Sequence, residues 1–290
     1  EIGLVASSGW NAGGSWVTPE HAGKGLYQSL TRVAGPRVFD EELPLPELPK
    51  LCPRDESGRP VYLSEVAVLA VPFDGKKAIA DMSRIVDLTD KVAADGKLRW
   101  DIPAGDWTVL RFVCANHGQQ LIVPSPNSGG PMIDFFDPAA TEFHLRHILA
   151  VILKELGRTS FEGTSFKTIE FDSMELDGFT PWNAFMADEF ERRAGYSAVR
   201  FLPVLAGWTL ADRETQERFL YDWRKTVSDR LIESHYVTGR RFLSSYGVNL
   251  IAEAGGPGPP IWDSNPVDGI KALGAVDIPR GEFWIRHRGI

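Results

Sequence analysis

A chain of 290 residues with 43% hydrophobic and 24% charged side chains can bury one large core or two modest ones, and lies far from a disordered composition. Lys and Arg number 31 against 39 Asp and Glu, a formal charge of −8 that disfavours nucleic acid or any other polyanion as partner. No run approaches the ~20 apolar residues of a membrane span, and the two cysteines, Cys52 and Cys114, lack the CxxC spacing of a zinc site.

The chain opens on Glu1-Ile2-Gly3-Leu4-Val5-Ala6-Ser7, which reads as a buried strand needing neighbours on both sides. The expectation is a segment of a longer protein, cut at both ends and poorly soluble alone because strand edges would face water. A Gly-rich loop, Ser8 to Trp16, leads to Thr18-Pro19-Glu20, the N-cap, first-turn proline and first-turn acid of a predicted helix. From about Arg37 to Pro60 the chain is rich in Pro and acidic residues and reads as a linker. Val61 to Phe73, Ile85 to Thr89, Leu98 to Ile102 and Trp107 to Cys114 are β-branched and aromatic runs between turn residues, predicting a small antiparallel β domain.

Periodicity changes after Asp137-Pro138, where Leu145, Leu149, Ile152 and Leu156 follow helical spacing up to Gly157. A strand at Phe166 to Phe171, a helix from Thr180-Pro181 to Gly195, a long helix from Thr215 to Tyr246, and strands at Val248 to Ala252 and Val276 to Ile278 complete an alternating pattern. The predicted class is α/β, an incomplete (β/α)8 (TIM-type) barrel with an inserted small antiparallel β domain. Residues 1–40 are assigned to the barrel, 41–130 to the insertion with its Pro-rich linker, and 131–290 to the barrel's continuation.

In such a barrel the active site forms where strands end, so acids directly after strand runs are the candidates. Asp172 and Glu175 follow Phe166 to Phe171, Glu253 follows Val248 to Ala252, and Glu282 sits between Gly281 and Phe283-Trp284 after the last strand. Glycosidic cleavage needs one carboxyl group to protonate the leaving oxygen and another to activate water or attack. A single strand-end acid serves as readily as a cap or an arginine partner. The loop containing Trp10, Asn11 and Trp16 suits the floor of a pyranose site, since indole offers a flat apolar face with one polar N–H. His21, just beyond it, and the aromatic residues Trp182 and Trp284 join the substrate-binding candidates. His144 and His147 stand at i, i+3 without an evident carboxylate companion and read as a solvated helix face.

Taken together, GWNAGGSWVTPEHA at 9–22, FDSMELDGFTPWNAFMADEFERRAGY at 171–196, EAGGPGPP and DIPRGEFW resemble glycoside hydrolase family one hundred and six, the α-L-rhamnosidases. The resemblance spans most of the chain. It implies a (β/α)8 catalytic domain, hydrolysis with inversion, a calcium ion near the bound rhamnose whose ligands are unknown, a rhamnose-containing glycan or glycoside as partner, and a periplasmic or secreted location. Glu175 resembles the general acid and Glu282 the base; Glu253 is the alternative base, or a holder of the sugar or the ion. Two other readings remain: another barrel glycosidase of β-galactosidase type, and a non-catalytic carbohydrate-binding protein.

Overall fold

The computed structural model describes residues 4–6, 12–93, 95–173, 176, 178–253 and 266–281. Its strands are β1 (Leu4–Ala6), β2 (Lys24–Glu42), β3 (Leu63–Pro72), β4 (Ala78–Ile79), β5 (Val86–Asp87), β6 (Lys97–Asn116), β7 (Phe166–Phe171), β8 (Thr180–Pro181), β9 (Thr209–Leu210), β10 (Asn249–Ala252) and β11 (Ile278–Pro279). Its helices are α1 (Pro138–Glu155), α2 (Met186–Ala194), α3 (Leu202–Leu205), α4 (Arg213–Leu231), α5 (Thr238–Ser244) and α6 (Gly269–Gly274). None of the described helices is long and apolar enough to cross a membrane.

Two compact units emerge, each assembled from separate stretches of chain. One comprises Glu1–Gly23, Gly118–Phe179 and Val227–Ile290; the other comprises Lys24–His117 and Thr180–Thr226. The boundary expected near residue 40 falls at 23/24, because β2 pairs with β6 along nearly its whole length, from Lys24↔Asn116 to Glu42↔Lys97. Backbone groups that sequence patterning assigns to a barrel segment and a linker are thereby claimed by one antiparallel ladder.

The first unit holds a four-stranded parallel sheet in the order β1-β7-β10-β11. Helix α1 starts where the sequence places it: the Asp137 side chain accepts from the Ala139 N–H and Pro138 opens the first turn. It ends at Gly157, whose φ of 60° lets the Arg158 N–H reach back to the Leu153 carbonyl. Its buried face, Thr141, His144, Leu145 and Leu149, packs toward α5 and the turn before it. No helix forms at Thr18-Pro19-Glu20. The Thr18 carbonyl is taken by His21 and Ala22 in a turn, and Gly23 then donates to Met132, which commits the chain to an extended path.

In the second unit the sheet order is β5-β3-β6-β2-β8, with every pair antiparallel. The two runs Leu98 to Ile102 and Trp107 to Cys114 are parts of one strand, β6, not two. The Pro-rich stretch after β2 is no free tether: Leu43, Leu48 and Cys52 are buried, and the Leu43 carbonyl accepts from Arg111 Nη1 at 2.6 Å. Thr180–Pro181 pairs with β2 as a short strand, so the following helix begins at Met186 and ends on Gly195 in the left-handed region, φ 80°. Cys52 and Cys114 are both buried and free.

Candidate active site

Strands β7, β10 and β11 lie in register, with Phe171 level with Ala252 and Ala252 with Pro279. The next residues, Asp172, Glu253 and Arg280, leave the carboxyl end of the sheet side by side. The Glu253 N–H donates to the Phe171 carbonyl at 3.3 Å, and the Arg280 N–H to the Ala252 carbonyl at 2.9 Å. Asp277 ties β11 down by accepting the Leu250 N–H at 2.9 Å and Arg240 Nε at 2.8 Å.

Arg280 gathers this end of the sheet. Its Nε lies 3.2 Å from Glu253 Oε1, and its Nη1 contacts the Glu170 carboxylate. The Glu253 side chain is 4% exposed and that of Arg280 46%, so a nearly dry carboxylate meets a half-wet cation. Two carboxylates and one guanidinium leave one net negative charge, and the guanidinium offsets part of the desolvation that a lone buried carboxylate would suffer. Asp172 is half-buried and accepts the Ser173 N–H at 2.8 Å.

Behind this row lies an aromatic and imidazole layer supplied by an irregular helix. Between α4 and α5 the chain makes a π turn, Ile232–Val237, which turns Ser234, His235 and Tyr236 all inward. His235 stacks on Phe171 at 4.2 Å and its Nδ1 lies 3.1 Å from Thr141 Oγ1. Burial first, and a neighbouring imidazole second, push His144 and His235 down to about 3, so both are neutral at ordinary pH. Burial, then the nearby Glu253 carboxylate, push the Tyr236 phenol well above its usual range.

Gly239 on α5 lets this layer close. A Cβ there would stand 2.7 Å from two ring carbons of Phe171. Gly239→Ala is therefore expected to destabilise by roughly 1–3 kcal/mol through overpacking, against the ~1 kcal/mol gain usual for Ala in a helix. Thermal denaturation checks the sign; a rise in Tm would mean that Phe171 yields freely.

The sequence candidates fare unequally. Glu253 and Asp172 stand together at the strand ends. Trp10, Asn11, Glu175, Glu282 and Trp284 lie outside the described residues. Trp16 is half-buried and its ring stacks on His147 at 4.2 Å and on His144 at 5.7 Å, so these histidines form part of a packed layer and not a solvated helix face. The His21 ring stacks on Phe143 at 4.1 Å, with Nδ1 2.9 Å from Thr18 Oγ1. Trp182 belongs to the core of the antiparallel unit, 3% exposed and stacked on Trp223 at 5.6 Å, which leaves it no open face for a sugar. Sequence reasoning missed Glu170 and Arg280. The available signal was a charged residue inside a strand of a buried parallel sheet and a cation directly after another.

A protein of Formosa agariphila whose name proposes a β-glucuronidase is 28% identical over 315 residues, which span 98% of this chain and 25% of that protein. A solved rhamnosidase from Novosphingobium sp. PP1Y shares the fold, with a TM-score of 0.77 at 21% identity over 96% of this chain and 41% of its own. The chain thus spans less than half the length of either relative. Residues 54–289 match the α-L-rhamnosidase family of glycoside hydrolases, and the chain belongs to that family, glycoside hydrolase family 106.

Proposed function

We propose that the whole protein hydrolyses terminal α-L-rhamnosyl linkages with inversion, outside the cytoplasm, and that the parallel sheet described here is part of a (β/α)8 barrel. The observation that carries the reading is the meeting of Glu170, Glu253 and Arg280 at the carboxyl ends of adjacent parallel strands, where barrel enzymes place their chemistry. Family membership supplies the reaction class.

In the proposed reaction Glu175 gives its proton to the glycosidic oxygen as the bond to the anomeric carbon breaks. Water attacks that carbon from the opposite face and passes its proton to a carboxylate, Glu282 or Glu253. Glu253, facing a guanidinium, is suited to accept a proton and poorly suited to deliver one. The calcium ion implied by the resemblance finds no ligand set among the described residues, where no three His, Cys, Asp or Glu side chains converge. Glu170 and Glu253 already face a cation, the Arg280 guanidinium.

The name of the Formosa agariphila relative suggests a uronic acid instead. A strand-end trio with one net negative charge disfavours a sugar carboxylate and suits a neutral deoxysugar. Full-length protein is expected to release the aglycone from aryl α-L-rhamnoside and not from the aryl glucuronide. The first sugar product, followed by NMR, should be the inverted anomer; retention would favour the β-galactosidase-type alternative. Glu175→Gln is expected to abolish turnover with little change in sugar affinity, and unchanged turnover would exclude Glu175 as the acid. A chain that bound the sugar without any hydrolysis would be a carbohydrate-binding protein.

A further inference from the structure

Tyr236 is completely buried, and its hydroxyl has no hydrogen-bond partner among the described residues. An unmade bond of this kind ordinarily costs ~1–3 kcal/mol, and phenylalanine would fill the same space without that cost. The π turn is itself a departure from the regular helix on either side of it, and it points this ring toward the layer beneath the strand ends. The phenol lies within the electrostatic reach of Glu253, whose own N–H is fixed to Phe171, the residue that the Tyr236 ring also meets at 6.2 Å. Local rules of packing and hydrogen bonding are broken together beside one buried carboxylate, the pattern expected where function takes precedence over stability.

We propose that Tyr236 is a positioning residue for Glu253: the π turn holds its phenolic O–H beneath the strand ends, available to donate to the Glu253 carboxylate and steady it as acceptor of the proton from water. The proposal rests on reading this end of the sheet as a glycosidase site. The charged groups at this strand end include Arg280 following β11 and Glu170 on β7. His235 on the π turn and His144 on α1 stay neutral and cannot imitate the effect. A donor lost from a carboxylate raises its pKa, because the hydrogen bond favours the charged form. Catalytic hydrogen bonds are often unmade in a ligand-free enzyme and tighten as the substrate engages.

The test uses Tyr236→Phe in the full-length protein, with aryl α-L-rhamnoside as substrate. The expected result is a kcat lower by roughly tenfold to a hundredfold, a KM changed by no more than about twofold, and an acidic limb of the kcat profile moved to higher pH. In a Glu253→Gln background the same substitution should change nothing further. Unaltered kcat and pH profile, with Tm equal or higher, would overturn the proposal and leave the hydroxyl a packing defect. If the wild-type protein hydrolyses no glycoside, the functional reading fails separately, and the hydroxyl is judged by melting alone. A Tm difference, variant minus wild type, that falls as pH rises through the carboxyl titration supports the Tyr236 bond to Glu253, and a difference independent of pH overturns it.

Discussion

Glu253→Gln is expected to lower turnover of aryl α-L-rhamnoside by roughly a hundredfold to ten-thousandfold, the range usual for loss of a positioned general base. Glutamine keeps the shape of the side chain and can still accept from Arg280 through its amide oxygen, so the fold should survive. What disappears is the charge, and with it the capacity to take a proton from water. A fall confined to kcat identifies Glu253 as the base, whereas a rise in KM with kcat preserved assigns it to holding the sugar. Activity within a few-fold of wild type would remove Glu253 from the site and leave the role of base to Glu282.

Arg280→Met should be felt most in stability. Methionine preserves much of the apolar stem but removes the cation that Glu170 and Glu253 share. Breaking a fully buried ion pair costs ~3–5 kcal/mol, and since nearly half of the Arg280 side chain meets water, about 1–3 kcal/mol is expected. The deficit should be larger at neutral pH than in acid, where the two carboxyl groups can take up protons and the repulsion is relieved. Denaturant titrations at the two conditions measure this. A deficit equal at both would mean that the guanidinium contributes packing and not charge.

Elements written in local chemistry were legible from the sequence. Asp137-Pro138 and Gly157 bracket α1 because caps act within one turn, and Phe166 to Phe171 forms β7 because a short apolar run in this setting has few alternatives. The span from Lys24 to Glu42 was not legible, since its partner lies more than fifty residues away and its own pattern is weak, with buried positions separated by long exposed stretches. Thr18-Pro19-Glu20 carries a genuine local signal, yet the chain turns there and Gly23 donates to the Met132 carbonyl instead of continuing a helix. That Asp172 and Glu253 stand together could be read because each directly follows a short apolar run, and both runs are strands of one parallel sheet. The trio of Glu170, Glu253 and Arg280 could not, for it exists only once three separate strands lie in register. The π turn leaves no composition or spacing signature, and Trp182 shows that an aromatic residue inside a recognisable motif can still be core.

The neutral histidine pair beneath the sheet has a consequence that only acid reveals. An unfolded imidazole titrates near 6.5, and in the native fold both His144 and His235 hold out to about 3. As pH falls through that interval the unfolded chain takes up protons that the native one refuses, so the free energy of unfolding declines. The scaffold thus sets its own acid limit, independent of any carboxyl group, and it favours surroundings near neutrality for whatever chemistry it carries.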